Sequence, residues 1–253
     1  MVVHPVVLEP WAGEFAAALV PEPVVLPPDV QRAVDRHFHT LSETNPHVFN
    51  GPVYTIVESH RTPERWTFRL ARTSYAHYLF TIHHRLPAPY ACRVLYAAGL
   101  VRTTDRHWIL GEMAPHTTHA GRLQCVGGGL DSRDLRADSF DLASSLRRET
   151  GEELGLAASA DPVPAYLKTG GPYDFVTAIY RIEAGLSRSH LLSLYAEWSR
   201  QGDRAGSPPE FSRLVALPSS RAAVRRFLDD DPRPRVDYLD PLLRAESRRL
   251  PLS

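Results

Sequence analysis

The run from Gly127 to Leu156, GGGLDSRDLRADSFDLASSLRRETGEELGL, constrains this chain more than any other stretch of it. It opens on three glycines, crosses an acidic, polar loop and ends in a helix-forming segment closed by Arg148-Glu149-Thr150-Gly151-Glu152-Glu153-Leu154-Gly155-Leu156. At about 100° per residue, Glu149, Glu152 and Glu153 fall within an arc about 100° wide, because positions i, i+3 and i+4 share a helix face. Leu142, Leu146 and Leu154 fall on an adjoining face that can be buried. Three carboxylates on one face repel one another unless a cation sits among them, and hard oxygen ligands of this kind suit Mg²⁺ or Mn²⁺. A solvated acidic surface has the same composition. Two features favour the metal. Arg148 and Glu152 are i, i+4, so the arginine can hold one carboxylate in place. The glycines end an alternating apolar run (Leu123, Cys125), where a strand can hand the chain to a tight loop and glycine permits close backbone approach to a ligand. The glutamate face is expected to be exposed and free of packing duties.

These residues resemble the Nudix box, G-x5-E-x7-R-E-U-x-E-E-x-G-U, where U is a bulky aliphatic residue. Arg148, Glu149, Glu152, Glu153, Gly155 and Leu156 match it position by position. Thr150 stands where an aliphatic residue is usual. At rigid spacing the box glycine falls on Asp134 and the first box glutamate on Phe140, so the alignment takes Gly127-Gly128 as the glycine pair and allows about six extra residues in the loop 131–140. Asp131, Asp134, Asp138 and Asp141 then all stand near the first acidic position, with Asp138 and Asp141 favoured. The resemblance implies a Nudix-type α/β/α sandwich with a mixed sheet, Mg²⁺ (or Mn²⁺) held by Glu149, Glu152 and Glu153, and Arg148 holding a glutamate. It also implies that the backbone of Gly127, Gly128 and Gly129 lies close to metal or phosphates, and that the chain is a pyrophosphohydrolase.

Composition sets the outer bounds. At 253 residues, 43% hydrophobic and 23% charged, the chain reads as an ordinary globular protein of one large domain or two small ones. Its formal net charge is zero and it has no basic block, which argues against a nucleic-acid groove. Two cysteines, Cys92 and Cys125, have no paired spacing and suit buried thiols in a reducing cytoplasm. The prolines at 5 and 10 and the absence of a basic leader do not read as a signal peptide, and no apolar run approaches the ~20 residues that span a bilayer.

Taken in order, residues 1–27 are proline-rich and offer an edge strand or a wrapping arm. Pro27-Pro28-Asp29 opens a helix to about Thr44, on which Val30, Val34, Phe38 and Leu41 keep helical spacing until Asn45-Pro46. Residues 52–58 and 65–71 alternate as strands about the turn Arg61-Thr62-Pro63-Glu64. A short helix follows from Ser74, and its aromatics Tyr75, Tyr78 and Phe80 read as core or interface filler. Pro87 and Pro89 suggest a boundary between an N-terminal α+β extension (1–89) and the hydrolase domain (90–253). Beyond it, strands are expected at 93–101, 108–113, 121–126, 162–168, 174–182 and 211–217. Helices are expected at 187–200, 220–228 and 241–249, giving the alternation of an α/β architecture.

Other motifs are weaker. His116 and His119 have metal-like spacing but no supporting ligand, His83-His84 reads as a satisfied or solvated pair, and Gly170-Gly171-Pro172 reads as a turn that could line a pocket. Residues 28–80 carry a second resemblance. Asn45-Pro46-His47-Val48-Phe49-Asn50-Gly51-Pro52, a strand pair, then Leu70-Ala71-Arg72-Thr73-Ser74-Tyr75 is similar to the N-terminal region of the UDP-glucose pyrophosphatase branch of the Nudix superfamily. That resemblance implies hydrolysis of a nucleotide sugar, a UDP-sugar giving UMP and a sugar 1-phosphate. A nucleoside triphosphate pyrophosphatase and a non-catalytic nucleotide-binding module are the rival readings. The extension could equally serve a homodimer.

Overall fold

A computed structural model of the chain describes residues 4–45, 48–156 and 161–250, so Pro46 and His47 of the second resemblance lie outside the described residues. The chain runs β1 (His4–Pro10), β2 (Glu14–Leu19), α1 (Pro28–Thr44), β3 (Pro52–Arg61), β4 (Arg65–Ser74) and α2 (Tyr75–His84). It continues through β5 (Leu95–Arg102), β6 (His107–Met113), β7 (Leu123–Gln124), β8 (Val126–Gly129), β9 (Leu135–Arg136), β10 (Ser139–Phe140) and α3 (Leu142–Leu154). It ends with β11 (Val163–Gly171), β12 (Val176–Glu183), α4 (Arg188–Arg204), β13 (Phe211–Pro218), α5 (Arg221–Asp230) and α6 (Leu239–Arg248). The helices start where the sequence supplies a start. Pro28 opens α1, the Ser74 hydroxyl accepts from the His77 N–H at α2, and the Ser220 hydroxyl accepts from the Ala223 N–H at α5.

The expected α/β class holds. Among the described residues there are two mixed sheets: an eight-stranded one ordered β1-β11-β12-β5-β6-β13, with β7 on β6 and β8 on β5, and a five-stranded one ordered β3-β4-β2-β10-β9. Parallel pairs β12–β5 and β2–β4 sit among antiparallel ones. Strands β5 and β6 pair only at one end, Val101 with Ile109 and Arg102 with Trp108. They then diverge, and the segment 123–129 fills the gap. Leu123 and Gln124 pair with Glu112 and Gly111 of β6, and Val126–Gly129 pair with Gly99–Tyr96 of β5. The three glycines are therefore strand, not the loop that glycine's weak β-propensity suggests. Tertiary pairing in the gap overrides the local preference.

Two apolar clusters flank the large sheet. One joins alternate residues of β5 (Leu95, Ala97, Val101) to Leu142, Leu146 and Leu154 of α3, Leu191 and Tyr195 of α4, and Phe15, Phe68 and Phe140 of the smaller sheet. The other joins the opposite alternation (Ala98, Leu100) to Val224, Phe227 and Leu228 of α5 and Leu239, Leu242 and Leu243 of α6. The large sheet is thus covered by helices on both faces.

Among the described residues, two strand pairs and an isolated bridge between Thr55 and Val94 cross residue 89. Edge strand β1 pairs with β11, and β2 of the small sheet pairs with β10 from the loop that precedes α3. Helix α2 is tied back to the segment before β3, where Asn50 Oδ1 accepts from the Ala76 N–H at 2.8 Å. Imidazoles of His83 and His84 both hydrogen-bond to His37 of α1, at 2.8 and 3.1 Å. Cys92 and Cys125 are free and buried, as their spacing suggests.

Candidate functional site

Helix α3 carries the motif, and its ends explain several motif positions. Asp141 is its N-cap, accepting from the Ser144 N–H at 2.9 Å and from the Ser144 hydroxyl at 2.7 Å. Gly155 ends it in the left-handed conformation (φ 68°), where a Cβ would stand 2.6 Å from the Trp198 ring of α4, so only glycine fits. Thr150, which departs from the aliphatic pattern, is fully buried, and its hydroxyl donates to Leu146 O at 2.7 Å. Its polar atom is satisfied inside the helix, so it packs where an aliphatic residue would.

The three glutamates share a face but not an environment. Glu153 is only 2% exposed, and its Oε2 accepts from the Gly127 N–H at 2.7 Å. This corrects the expectation of a face free of packing duties. Burial pushes the Glu153 carboxyl well above the ordinary carboxylate range; the Gly127 N–H opposes that, and the charges of Glu149, Glu210 and Glu152 add to it. Glu149 lies beside Gly128, where a Cβ would stand 3.0 Å from its Oε1. Burial raises the Glu149 carboxyl to about 7; Arg148 opposes the rise, and Glu152 and Glu210 add to it. Glu152 is half-exposed and held by two arginines, Arg148 at 2.8 Å and Arg133 at 3.0 Å.

Arg148 does more than hold one glutamate. Its Nε and one terminal nitrogen donate to the two oxygens of Asp134, at 3.0 and 2.9 Å, in the fork geometry that arginine and carboxylate share. It also contacts Glu149 Oε1 at 2.9 Å and Glu152 Oε2 at 2.8 Å. Asp134 is buried in a short 3₁₀ turn (Ser132–Asp134) and accepts further from the Asp131 N–H and the Ser145 hydroxyl. The preference for Asp138 or Asp141 is therefore corrected. Asp141 is committed to capping α3, Asp138 reaches no residue of the motif, and Asp134 is the acidic residue against Arg148. The extra residues fold as a turn plus the β9–β10 hairpin that joins the small sheet.

The glycines differ in need. Gly127 has φ 133°, and a Cβ there would collide with the Ala97 carbonyl oxygen across the ladder. Gly128 leaves room for Glu149. A Cβ on Gly129 would make only ordinary contact, 3.7 Å from Tyr96. Glu210, just before β13, acts electrostatically on both Glu149 and Glu153. Sequence reasoning misses it because nothing in its surroundings marks it.

Among the described residues no group of three or more His, Cys, Asp or Glu side chains converges as a metal cage. The motif glutamates are not among such a group, Glu152 being paired with Arg148 and Arg133, and His116 and His119 gain no third ligand among the described residues. The donor set nonetheless fits a hard divalent cation at two positions. Glu153, which is buried, and Glu149, which is partly buried, are oxygen donors whose charged forms are disfavoured by desolvation, and in Glu153 also by the charge of Glu149, a cost a cation would remove. Glu152 would join on exchanging an arginine.

No family model matches the chain, and no curated protein matches it. Among solved structures it is similar to the MutT protein from Methanosarcina mazei Go1, with 13% identity over 62% of this chain and 94% of that chain and a TM-score of 0.39. It is similar to a Nudix hydrolase from M. smegmatis, RenU, with 16% identity over 64% of this chain and 89% of that chain and a TM-score of 0.38. The Nudix domain of Shewanella oneidensis NrtR, complexed with ADP ribose, shows 12% identity over 68% of this chain and 98% of that chain, with a TM-score of 0.38. No helix among the described residues is long and apolar enough to cross a membrane.

Proposed function

We propose that the protein is a divalent-metal-dependent hydrolase of a nucleoside diphosphate linked to a second group, acting as Nudix pyrophosphohydrolases do. The observation that carries this reading is the Arg148–Leu156 motif at the end of α3, with Glu153 buried and Glu149 partly buried beside the glycine strand. Glu149 and Glu153 would hold Mg²⁺ or Mn²⁺, with Glu152 as the third ligand. The cation would supply neutralisation of phosphate charge and orientation of water at the scissile P–O bond. Arg148 positions the glutamates through its Asp134 anchor. Backbone of Gly127–Gly129 offers close approach, and Glu152 and Glu153 are the helix candidates for general base.

The substrate class is a UDP-sugar, cleaved by water to UMP and sugar 1-phosphate. Its support is the likeness of residues 28–80 to the UDP-glucose pyrophosphatase branch. The purified protein with Mg²⁺ should be tested against UDP-glucose, UDP-galactose, UTP, ADP-ribose, dinucleoside polyphosphates and CoA, with products identified by mass spectrometry in ¹⁸O-water. UMP and hexose 1-phosphate should form faster than UTP gives UMP and pyrophosphate. Intact UDP-sugars with pyrophosphate released from UTP would replace the substrate and keep the metal helix. No turnover and no heat of Mg²⁺ binding would leave a non-catalytic nucleotide-binding module.

A further inference from the structure

Three imidazoles join α1 to α2. His83 and His84 are consecutive in the last turn of α2, so their side chains leave the helix about 100° apart. Both still reach His37 of α1, and they meet opposite nitrogens of its ring. His83 Nδ1 lies 2.8 Å from His37 Nε2, and His84 Nε2 lies 3.1 Å from His37 Nδ1. The His37 ring stands at 81° to the one and 85° to the other. Phe80, one turn back on α2, packs 5.6 Å from His37 and 4.4 Å from His84. Val34 is the one residue of α1 that is fully buried, and His37 follows it one turn on, half-buried.

Proton counting limits the charge these rings can carry while they stay docked. Each of the two ring–ring hydrogen bonds needs one nitrogen with a proton and one without; a neutral imidazole has one of each, and a charged one has two N–H groups. With all three rings neutral, both bonds form. With one ring charged they still form, since His37 can donate at both nitrogens or an outer ring can donate to it. With two rings charged they cannot. If His83 and His84 carry the charges, each presents an N–H to His37, which keeps a proton of its own and cannot accept at both nitrogens. If His37 is one of the two, its N–H faces the N–H of the charged outer ring. The docked rings therefore bind fewer protons than three free imidazoles, whose ordinary value is about 6.5. By linkage, docking is favoured as pH rises and lost as pH falls below that value.

The surroundings supply no counter-ion. On α1, the residues one turn either side of His37 are Ala33, Val34, Thr40 and Leu41. The charged groups elsewhere on that helix are Asp29, Arg32, Asp35, Arg36, His39 and Glu43; Asp35 accepts from Gln31, and Glu43 pairs with His39. On α2, His77 is turned to the Tyr90 carbonyl at 2.7 Å and Tyr78 to the Tyr96 hydroxyl, and Arg85, a like charge, follows His84. Histidine ion pairs among the described residues are those of His39 with Glu43 and His107 with Asp105, so none of the three rings has a carboxylate partner there. Burial, then the charges of His84 and His83, hold the His37 imidazole below its ordinary value.

We propose that the His83–His37–His84 chain is a pH-sensitive clasp, which holds α1 on α2 while at most one ring is charged and lets α1 go in acid, when a second ring takes a proton. The clasp goes beyond the hydrolase reading and does not depend on it, since none of the three histidines belongs to the α3 site.

Imidazole NMR signals and amide hydrogen-exchange protection factors of the full chain, followed from about pH 7.5 to about pH 5, test it. The second proton should bind the cluster about tenfold or more weakly than the first. Protection over residues 28–44 should fall about tenfold or more as it binds, while β5 and β12 stay protected. His83→Gln combined with His84→Gln supplies amide oxygens that accept from His37 when it is charged and amide groups that donate when it is not, so α1 should keep its protection in acid. His37→Phe keeps a ring against Phe80 and has no proton to take, so it should also remove the pH dependence. Three rings that titrate independently overturn the clasp, as does α1 protection that is the same at both ends of the range. Acid release that persists in a variant whose α1 is docked at neutral pH overturns it too, and so does opening of β5 and β12 in step with α1.

Discussion

Glu153 Oε2 accepts a hydrogen bond from the Gly127 N–H at 2.7 Å, joining the end of α3 to the strand that fills the gap between β5 and β6. One side chain therefore holds the helix against the sheet and also presents a carboxylate at the candidate metal position. The two duties separate on mutation, because glutamine keeps an acceptor for the amide and loses the charge.

Glu153→Gln should keep the fold and cut turnover by at least two orders of magnitude. Glu153→Ala should lose both, leaving the Gly127 N–H unsatisfied at a cost of about 1–3 kcal/mol. Urea unfolding and Mg²⁺-dependent turnover on the same preparations check this. Near-wild-type turnover by the glutamine variant would remove Glu153 from the site.

The glycines give a graded series. Gly127→Ala should destabilise strongly, since the residue needs φ 133° and its Cβ would meet the Ala97 carbonyl. Gly128→Ala should leave stability nearly unchanged and disturb activity, because its Cβ would press on Glu149 at 3.0 Å. Gly129→Ala should be tolerated in both. Thermal unfolding and turnover together read the order, and a Gly129→Ala variant as damaged as Gly127→Ala would contradict it.

The helix and its two faces were legible because they follow a period of 3.6, and Leu142, Leu146 and Leu154 are buried as that period requires. The strand pair about Arg61-Thr62-Pro63-Glu64 was legible from the other local period, alternation every two residues, and is found as β3 and β4. What local pattern could not show is what tertiary pairing decides. Three glycines form a strand only because β5 and β6 diverge around them. Asp134 meets Arg148 only because a 3₁₀ turn folds the loop back onto the helix. Phe175 stacks on Tyr78 only through the placing of a turn far along the chain.

Of the four loop aspartates, Asp134 should matter most. Its carboxylate is buried and accepts from Arg148 twice, while the Asp138 side chain is exposed and, among the described residues, accepts from the adjoining Ser139 hydroxyl alone. Asp134→Asn removes the partner of a mostly buried guanidinium, a change of about 3–5 kcal/mol where such a pair is broken. It should also lower turnover by letting Arg148 move off Glu149 and Glu152. Asp138→Asn should change neither stability nor turnover. Urea unfolding of the two variants decides; equal stability would mean that Arg148 finds Glu149 and Glu152 sufficient.

The last expectation lies away from the site. Glu246 of α6 is buried and accepts from the Arg181 guanidinium at 2.6 and 3.0 Å and from the Tyr166 hydroxyl at 2.6 Å, tying α6 to β12 and β11. Burial alone would raise its carboxyl, but Arg181 and Tyr166 outweigh burial and hold it below the ordinary value of 4.5. A depressed carboxylate contributes stability above its unfolded-state value and loses it as pH falls through the folded-state value. Arg181→Met should therefore cost about 3 kcal/mol near pH 7, leaving a buried charge without its partner. As pH falls through the folded-state value the wild-type carboxylate protonates as well, so the gap between them should narrow in acid. Urea unfolding of wild type and variant across this range measures it. A gap as wide in acid as at neutrality would show that Arg181 stabilises α6 by packing over the Tyr166 ring, 5.3 Å from its guanidinium carbon, and not by charge.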